Sequence, residues 1–214
     1  MAEFSAAGTV GVLVLTNTRW NQTMHGVGVI PLKEPFAEES LLTPAVGDLQ
    51  ADAGRLVVLP QSELSDPLYV PEPEEVIGVE RGLADVLDLR RLVRPSPLAP
   101  QPVPGVIDYP RWGHIYWASG LGTGENKRYV VVSNDRWNKQ TKTPIIVRMT
   151  TQPKRRAEDF PEVQDGDAQA CCGEATSVAD AVLNQRQRPS PPGLPLRDMS
   201  AVAGGLMSVL ELGW

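Results

Sequence analysis

The chain has 214 residues, a net charge of −6, 42% hydrophobic and 21% charged residues, which is the make-up of a folded globular protein and excludes wholesale disorder. No run of about 18 apolar residues occurs, so no membrane span is expected. Twenty prolines and 19 glycines predict short elements separated by many turns.

In chain order, β-branched runs at residues 10–15 and 27–32 flank a polar stretch around Asn21 and predict two paired strands joined by a loop. Residues 55–59, and a weaker run at 68–70, add strands. Val76, Val79, Leu83 and Val86 or Leu87 recur at three and four, the period of a helix. Glu72, Glu74 and Glu75 at its start and Arg90 and Arg91 at its end suit the helix dipole. Pro95, Pro97, Pro100, Pro102, Pro104 and Pro110 make residues 95–110 a stiff, extended linker. Beyond it, strands are predicted at 113–118, 128–133, 144–150 and, shorter, near 177–182. Met199, Val202, Leu206 and Val209 predict a second helix.

The chain repeats itself. Residues 16–21 (Thr-Asn-Thr-Arg-Trp-Asn) match residues 133–138 (Ser-Asn-Asp-Arg-Trp-Asn) at an offset of 117. Val79, Gly82, Leu83, Val86, Leu87 and Leu89 recur as Val202, Gly205, Leu206, Val209, Leu210 and Leu212 at an offset of 123. Two ordered matches at nearly one offset imply a duplicated domain. The first copy starts almost at its first strand, so it lacks counterparts of residues 112–119 and of the Gly-rich loop 120–126.

Charge separates the copies. Residues 1–105 carry net −7 and residues 106–214 net +1. Between Arg111 and Arg156, ten basic residues meet only Glu125 and Asp135, a net of +8. Phosphate-binding surfaces are built this way, and Arg136, Lys139, Arg148, Lys154 and Arg155 are the expected phosphate-facing cations. A solvated positive face, neutralised by the acidic first copy, is the other reading. The adjacent Cys171 and Cys172 cannot form a disulfide framework, and only His25 and His114 could join them around zinc. Reduced thiols in a cytoplasmic protein, with no metal and no cofactor, are expected. Residues 1–5 lack a basic start and carry Glu3, so no secretory signal is expected.

Several motifs of the second copy, in order, resemble the MazF/PemK toxin family. Residues 111–116 (Arg-Trp-Gly-His-Ile-Tyr) are similar to its opening Arg-Gly-Asp/Glu-Ile-Trp strand. Residues 122–128 (Gly-Thr-Gly-Glu-Asn-Lys-Arg) resemble its Gly-Ser-Glu-Gln…Arg-Pro loop. Residues 130–134 (Val-Val-Val-Ser-Asn) and 145–152 (Ile-Ile-Val-Arg-Met-Thr-Thr-Gln) resemble its next two strands. The resemblance spans residues 111–212. It implies a mainly β fold with C-terminal helices (α+β): two SH3-like barrels of the MazF/PemK/CcdB type forming an intramolecular pseudo-dimer. The expected domains are a degenerate barrel at 1–94, the linker at 95–110 and a second barrel at 111–214, the chain itself being monomeric.

The resemblance also implies function: the toxin half of a toxin–antitoxin pair that cuts single-stranded RNA without a metal, or, as in the CcdB branch, a gyrase poison. Such cleavage uses the 2′-hydroxyl as nucleophile and needs a base, a phosphate cation and hydrogen-bond donors. The family's residues fall on Glu125 as base, Lys127 or Arg128 as cation and Thr150 as donor, with Asp180 where some relatives carry a catalytic Asp. The family's Arg-Pro pair is altered. Anchored on Ser133 it falls on Lys127-Arg128; anchored on the arginine, the proline becomes Tyr129. Lysine is the poorer bidentate clamp. In the first copy Val10 and Gly11 stand at these positions, so that copy is expected to be catalytically empty. Trp20 and Trp137 are equivalent; Trp137 is either a base-stacking platform or an aromatic that covers the barrel end. The expected partners are single-stranded RNA and an antitoxin protein, with no membrane. The rival reading is a degenerate toxin fold that binds RNA or a protein without cutting.

Overall fold

The computed structural model describes residues 8–24, 26–67, 69–89, 109–118, 121, 126–152, 159–163, 167–183 and 193–212. The N-terminal half runs β1 (Thr9–Val14), α1 (Thr18–Asn21), β2 (Gly26–Lys33), β3 (Ala45–Val46), β4 (Leu49–Ala51), β5 (Val57–Pro60) and α2 (Pro73–Val86). The C-terminal half runs β6 (Ile115–Ala118), β7 (Lys127–Val131), α3 (Asp135–Thr141), β8 (Ile145–Thr150), β9 (Glu162–Val163), β10 (Ala168–Ser177) and α4 (Leu196–Val209). Single 3₁₀ turns, Gln61–Glu63 and Asp180–Val182, follow β5 and β10. The fold is mainly β with a closing helix in each half.

Each half is an antiparallel sheet that curls. The orders are β1-β2-β4-β3, with β5 also on β2, and β6-β7-β8-β10-β9. In the first sheet, β2 pairs with β4 at Leu32↔Ala51 and with β5 at Val29↔Val57. In the second, the single strand β10 pairs with β8 at Met149↔Ala170 and, after a register shift, at Ile146↔Thr176. The extra residues at that shift bend the strand. In the first half the matching place is the break between β4 and β5.

Three expectations change. The polar connectors around Asn21 and Asn138 are the short helices α1 and α3, because Asn17 and Asn134 cap them: their side chains accept from the N–H groups of Trp20 (2.7 Å) and Trp137 (2.8 Å). Residues 177–182 are the end of β10 and a 3₁₀ turn rather than a strand. Residues 69–70 are irregular and exposed, and Leu68 lies outside the described residues. Strands β3, β4 and β9 went unforeseen because two or three residues carry no readable alternation. Of the linker at 95–110, only its last two residues are described.

The repeated hexapeptide holds the halves together. Its hydroxyl ties down the next strand: Thr16 Oγ1 accepts from Gly28 N–H (3.1 Å), and Ser133 Oγ accepts from Ile145 N–H (2.8 Å). Its last residue locks back, Asn21 Nδ2 donating to Thr16 O (2.8 Å) and Asn138 Nδ2 to Ser133 O (3.0 Å). Its capping Asn reaches across. Asn17 donates from N–H to Val209 O (2.9 Å) and from Nδ2 to Ser208 O (2.7 Å). Asn134 donates from N–H to Val86 O (2.8 Å) and from Nδ2 to Asp85 O (2.8 Å). Carbonyls of the last turn of each half's helix thus meet the other half's cap.

Its Trp crosses as well. Trp20 lies on Gly173 so closely that a Cβ there would sit 2.0 Å from the ring; Trp137 lies on Gly54 with the same 2.0 Å. Only glycine admits either indole. Trp20 also meets Phe160, ring centroids 5.7 Å apart. Between them, Leu56 and Ser177 exchange hydrogen bonds. The caps and the indoles are each returned by the other half, as across an isologous interface. One buried core accordingly runs through both halves, from Leu13, Ile30 and Leu83 to Ile145, Met199 and Leu206.

Candidate functional site

Strand register fixes which side chains share a face. Ala118 pairs with Lys127, Tyr129 with Arg148, and Thr150 with Gln169. Two residues on from Tyr129↔Arg148 along each strand come Lys127 and Thr150. One row across the sheet therefore reads Ala118, Lys127, Thr150, Gln169. Side chains alternate between faces. Lys127 and Thr150 share the outer face with Tyr129, Arg148, Val131 and Ile146; the last pair packs with Tyr116, Tyr129, Val178 and Leu183 in a satellite cluster. Arg128 has the parity of Val130, which points into the main core, and lies opposite Trp117. By pleat, Lys127 rather than Arg128 shares the face of Thr150.

Thr150 ends β8 almost fully buried, and its Oγ1 accepts from Gln152 N–H (3.1 Å), leaving its own hydrogen to donate. One row away, Arg148 forms a two-point ion pair with Glu174, from Nε to Oε2 and from Nη2 to Oε1 (2.7 Å). This pair raises the Arg148 pKa above its already high value. Tyr129 is buried beside it, and burial raises its phenol pKa. Tyr116 does the same for a like reason, its hydroxyl accepting from Arg111 N–H (3.1 Å).

Other sequence candidates lie elsewhere. Asp180 lies beside the start of β8: its N–H donates to Lys142 O (2.9 Å) and its carboxylate lies 4.0 Å from Lys142 Nζ. Thr150 is at the far end of that strand, about 16 Å away at ~3.3 Å per residue. Arg148 is engaged by Glu174, and the half-buried Trp137 ring lies on Gly54. Arg136 and Lys139 are exposed on α3. Glu125, Lys154 and Arg155 lie outside the described residues. The net +8 stretch is also less free than its count suggests. Arg111 lies 3.7 Å from Asp135, and Lys142 and Arg148 meet carboxylates from beyond the stretch. Glu174 and Gln169 were not foreseen, because the run of small residues in β10 hides its alternation. The signal for Gln169 was Gln50, which holds the matching place beside β2.

Among the described residues no three His, Cys, Asp or Glu side chains gather as a metal set, and no helix is long and apolar enough to cross a membrane. Cys171 and Cys172 are buried free thiols, and burial pushes the Cys172 pKa well up.

No protein-family model and no curated protein matches the chain. Among solved structures, it is similar to an endoribonuclease in complex with its cognate antitoxin from Mycobacterial species, at 21% identity and a TM-score of 0.43, over 49% of this chain and 98% of that one. It is also similar to two crystal forms of MazE–MazF from Deinococcus radiodurans. One gives 18% identity and a TM-score of 0.39 over 47% of this chain and 93% of that one; the other gives 18% and 0.37 over 46% and 94%.

Proposed function

We propose that the chain is a tandem duplication of a MazF/PemK-like toxin domain, with barrels at 1–94 and 111–214 held as an intramolecular pseudo-dimer. On this reading its C-terminal half is a metal-independent endoribonuclease for single-stranded RNA in the cytoplasm, and an antitoxin protein is its partner. The observation that carries the reading is the row that brings Lys127 and Thr150 onto one face, with Glu125 two residues before Lys127 in the chain. Glu125 takes the 2′-hydroxyl proton, O2′ attacks phosphorus, and the P–O5′ bond breaks to leave a 2′,3′-cyclic phosphate and a 5′-alkoxide that takes its proton from water. Lys127 faces the charge of the phosphorane, and the Thr150 hydroxyl donates to a non-bridging oxygen. Arg136 and Lys139 on α3, with Lys154 and Arg155, extend the phosphate contacts.

A second reading, binding of RNA or of an antitoxin-like protein without cleavage, is favoured by Lys127 in place of arginine and by the neutralisation of Arg148 by Glu174. Purified protein incubated with mixed-sequence single-stranded RNA in EDTA separates the two. Cleavage that falls about 100-fold or more in Lys127→Ala and far less in Arg128→Ala supports the enzyme. RNA bound at low salt but left intact supports the second reading. If no RNA is bound at low salt, both RNA readings fail and a protein partner leads.

A further inference from the structure

On the outer face of the C-terminal sheet, Arg148 is held by a carboxylate that the regular register does not put there. The residue directly across from Arg148 is Cys171. Glu174 comes three residues later, inside the stretch where the pairing shifts between Cys171 and Thr176, and the bend brings its carboxylate to the guanidinium. Glu174 Oε2 accepts from Arg148 Nε and Oε1 accepts from Nη2 (2.7 Å), a two-point contact along one edge of the guanidinium. The pair is not sealed in the core: the two side chains are 25% and 31% exposed.

The N-terminal half shows that the fold does not require this carboxylate. Gly54 and Gly173 lie under the two crossing indoles, and Val57 and Thr176 pair with Val29 and Ile146. Arg55 therefore stands where Glu174 does, and Pro31 where Arg148 does. One half has both members of the pair and the other has neither. What sets Arg148 apart is its place: it lies two residues, about 6.6 Å, before Thr150 on the face that Lys127 shares. A guanidinium edge fits a carboxylate and a phosphodiester in the same two-point manner. While Glu174 holds that edge and cancels the charge, Arg148 adds little to the attraction of this face for a polyanion.

We infer that Glu174 is an internal stand-in for a backbone phosphate on Arg148 and so sets how tightly this face binds single-stranded RNA. The inference rests on the RNA reading above, whether or not the strand is cut. Lys127 and Thr150 meet one phosphate, and the guanidinium within reach of a neighbouring one is kept occupied. Removing the Glu174 charge adds a phosphate contact; removing both charges adds none.

The test is binding of a mixed-sequence 2′-O-methyl single-stranded RNA, which cannot be cut through O2′, to the full chain in EDTA from about 50 to about 200 mM salt. Thermal unfolding confirms that each variant folds. Glu174→Gln is expected to bind about tenfold tighter at the low-salt end, with the slope of log K against log salt steeper by about 0.7, the value of one further single-strand phosphate contact. Arg148→Met combined with Glu174→Gln keeps the wild-type net charge and is expected to keep wild-type affinity and slope. Glu162→Gln removes an equal charge from exposed Glu162 on β9 and is expected to leave the slope unchanged. A Glu174→Gln slope equal to that of wild type overturns the inference. So does a shallower slope in the double variant, since Arg148 would then already hold a phosphate. A Glu162→Gln slope as steep as that of Glu174→Gln also overturns it, since net charge alone would then explain the gain. If neither wild type nor Glu174→Gln binds at low salt, the RNA reading itself fails and the inference with it; wild-type binding with no response to Glu174→Gln strikes the inference alone.

Discussion

The two halves agree where they touch and disagree on the faces they turn outward. Toward each other, both present the same hydroxyl, capping Asn, Trp and locking Asn, with matching hydrogen bonds and a matching glycine under each indole. Outward, the C-terminal sheet carries Lys127, Tyr129, Arg148 and Thr150, where the N-terminal sheet has Val12 opposite Pro31 and Thr9 opposite Lys33. Lys33 is itself committed, 3.0 Å from Asp52 and over the Phe36 ring. Positions that pack are coupled to partners in the other half, so the two halves match there. The outward positions are not held by that packing, and they differ.

The strongest way to break this comparison is at the crossing indoles. Trp20→Ala is expected to cost about 4 kcal/mol, because Trp20 is only 2% exposed, and the half-buried Trp137→Ala about 2–3 kcal/mol. Urea unfolding measures both; equal losses would show that Phe160 adds nothing to Trp20.

Next come the glycines beneath them. Gly173→Ala and Gly54→Ala each push a methyl into a ring and are expected to cost about 3 kcal/mol. A free-energy loss within experimental error of zero for either would mean that its Trp does not cross as described.

The capping residues sharpen the symmetry further. Asn17→Ala and Asn134→Ala each remove a cap and an inter-half hydrogen bond, an expected loss of about 1–2 kcal/mol. The two denaturation midpoints should fall together. A loss confined to one variant would place the interface on one side only.

The smallest effect separates the outer faces. Burial raises the Tyr129 pKa above the usual phenol value near 10, while Val12 stands at its counterpart. The unfolded chain therefore gives up this proton first. The stabilisation is complete below pH ~10 and is lost as pH rises through the folded value. Stability measured from pH 8 to 11 is expected to decline at the alkaline end, and less steeply in Tyr129→Phe. An unchanged slope in that variant would assign the decline to other groups.

The sequence by itself determined the repeated hexapeptide, the strands β1, β2, β5, β6, β7 and β8 and both closing helices, but not β10, the longest strand. Each rests on local pattern: β-branched runs, three-and-four spacing, and a hexapeptide whose residues act within a few positions of one another. It also marked Thr150 and the pair Lys127-Arg128. Only the tertiary structure separated the faces of those two cations, because a one-residue difference in strand parity turns a side chain from the outer face to the core side. Only it moved Asp180 to the far end of β8 and joined Arg148 to Glu174, 26 residues away. Nor could the sequence show that the repeated Trp belongs to the opposite half. Those facts depend on register and on contacts between distant segments, which no local pattern encodes.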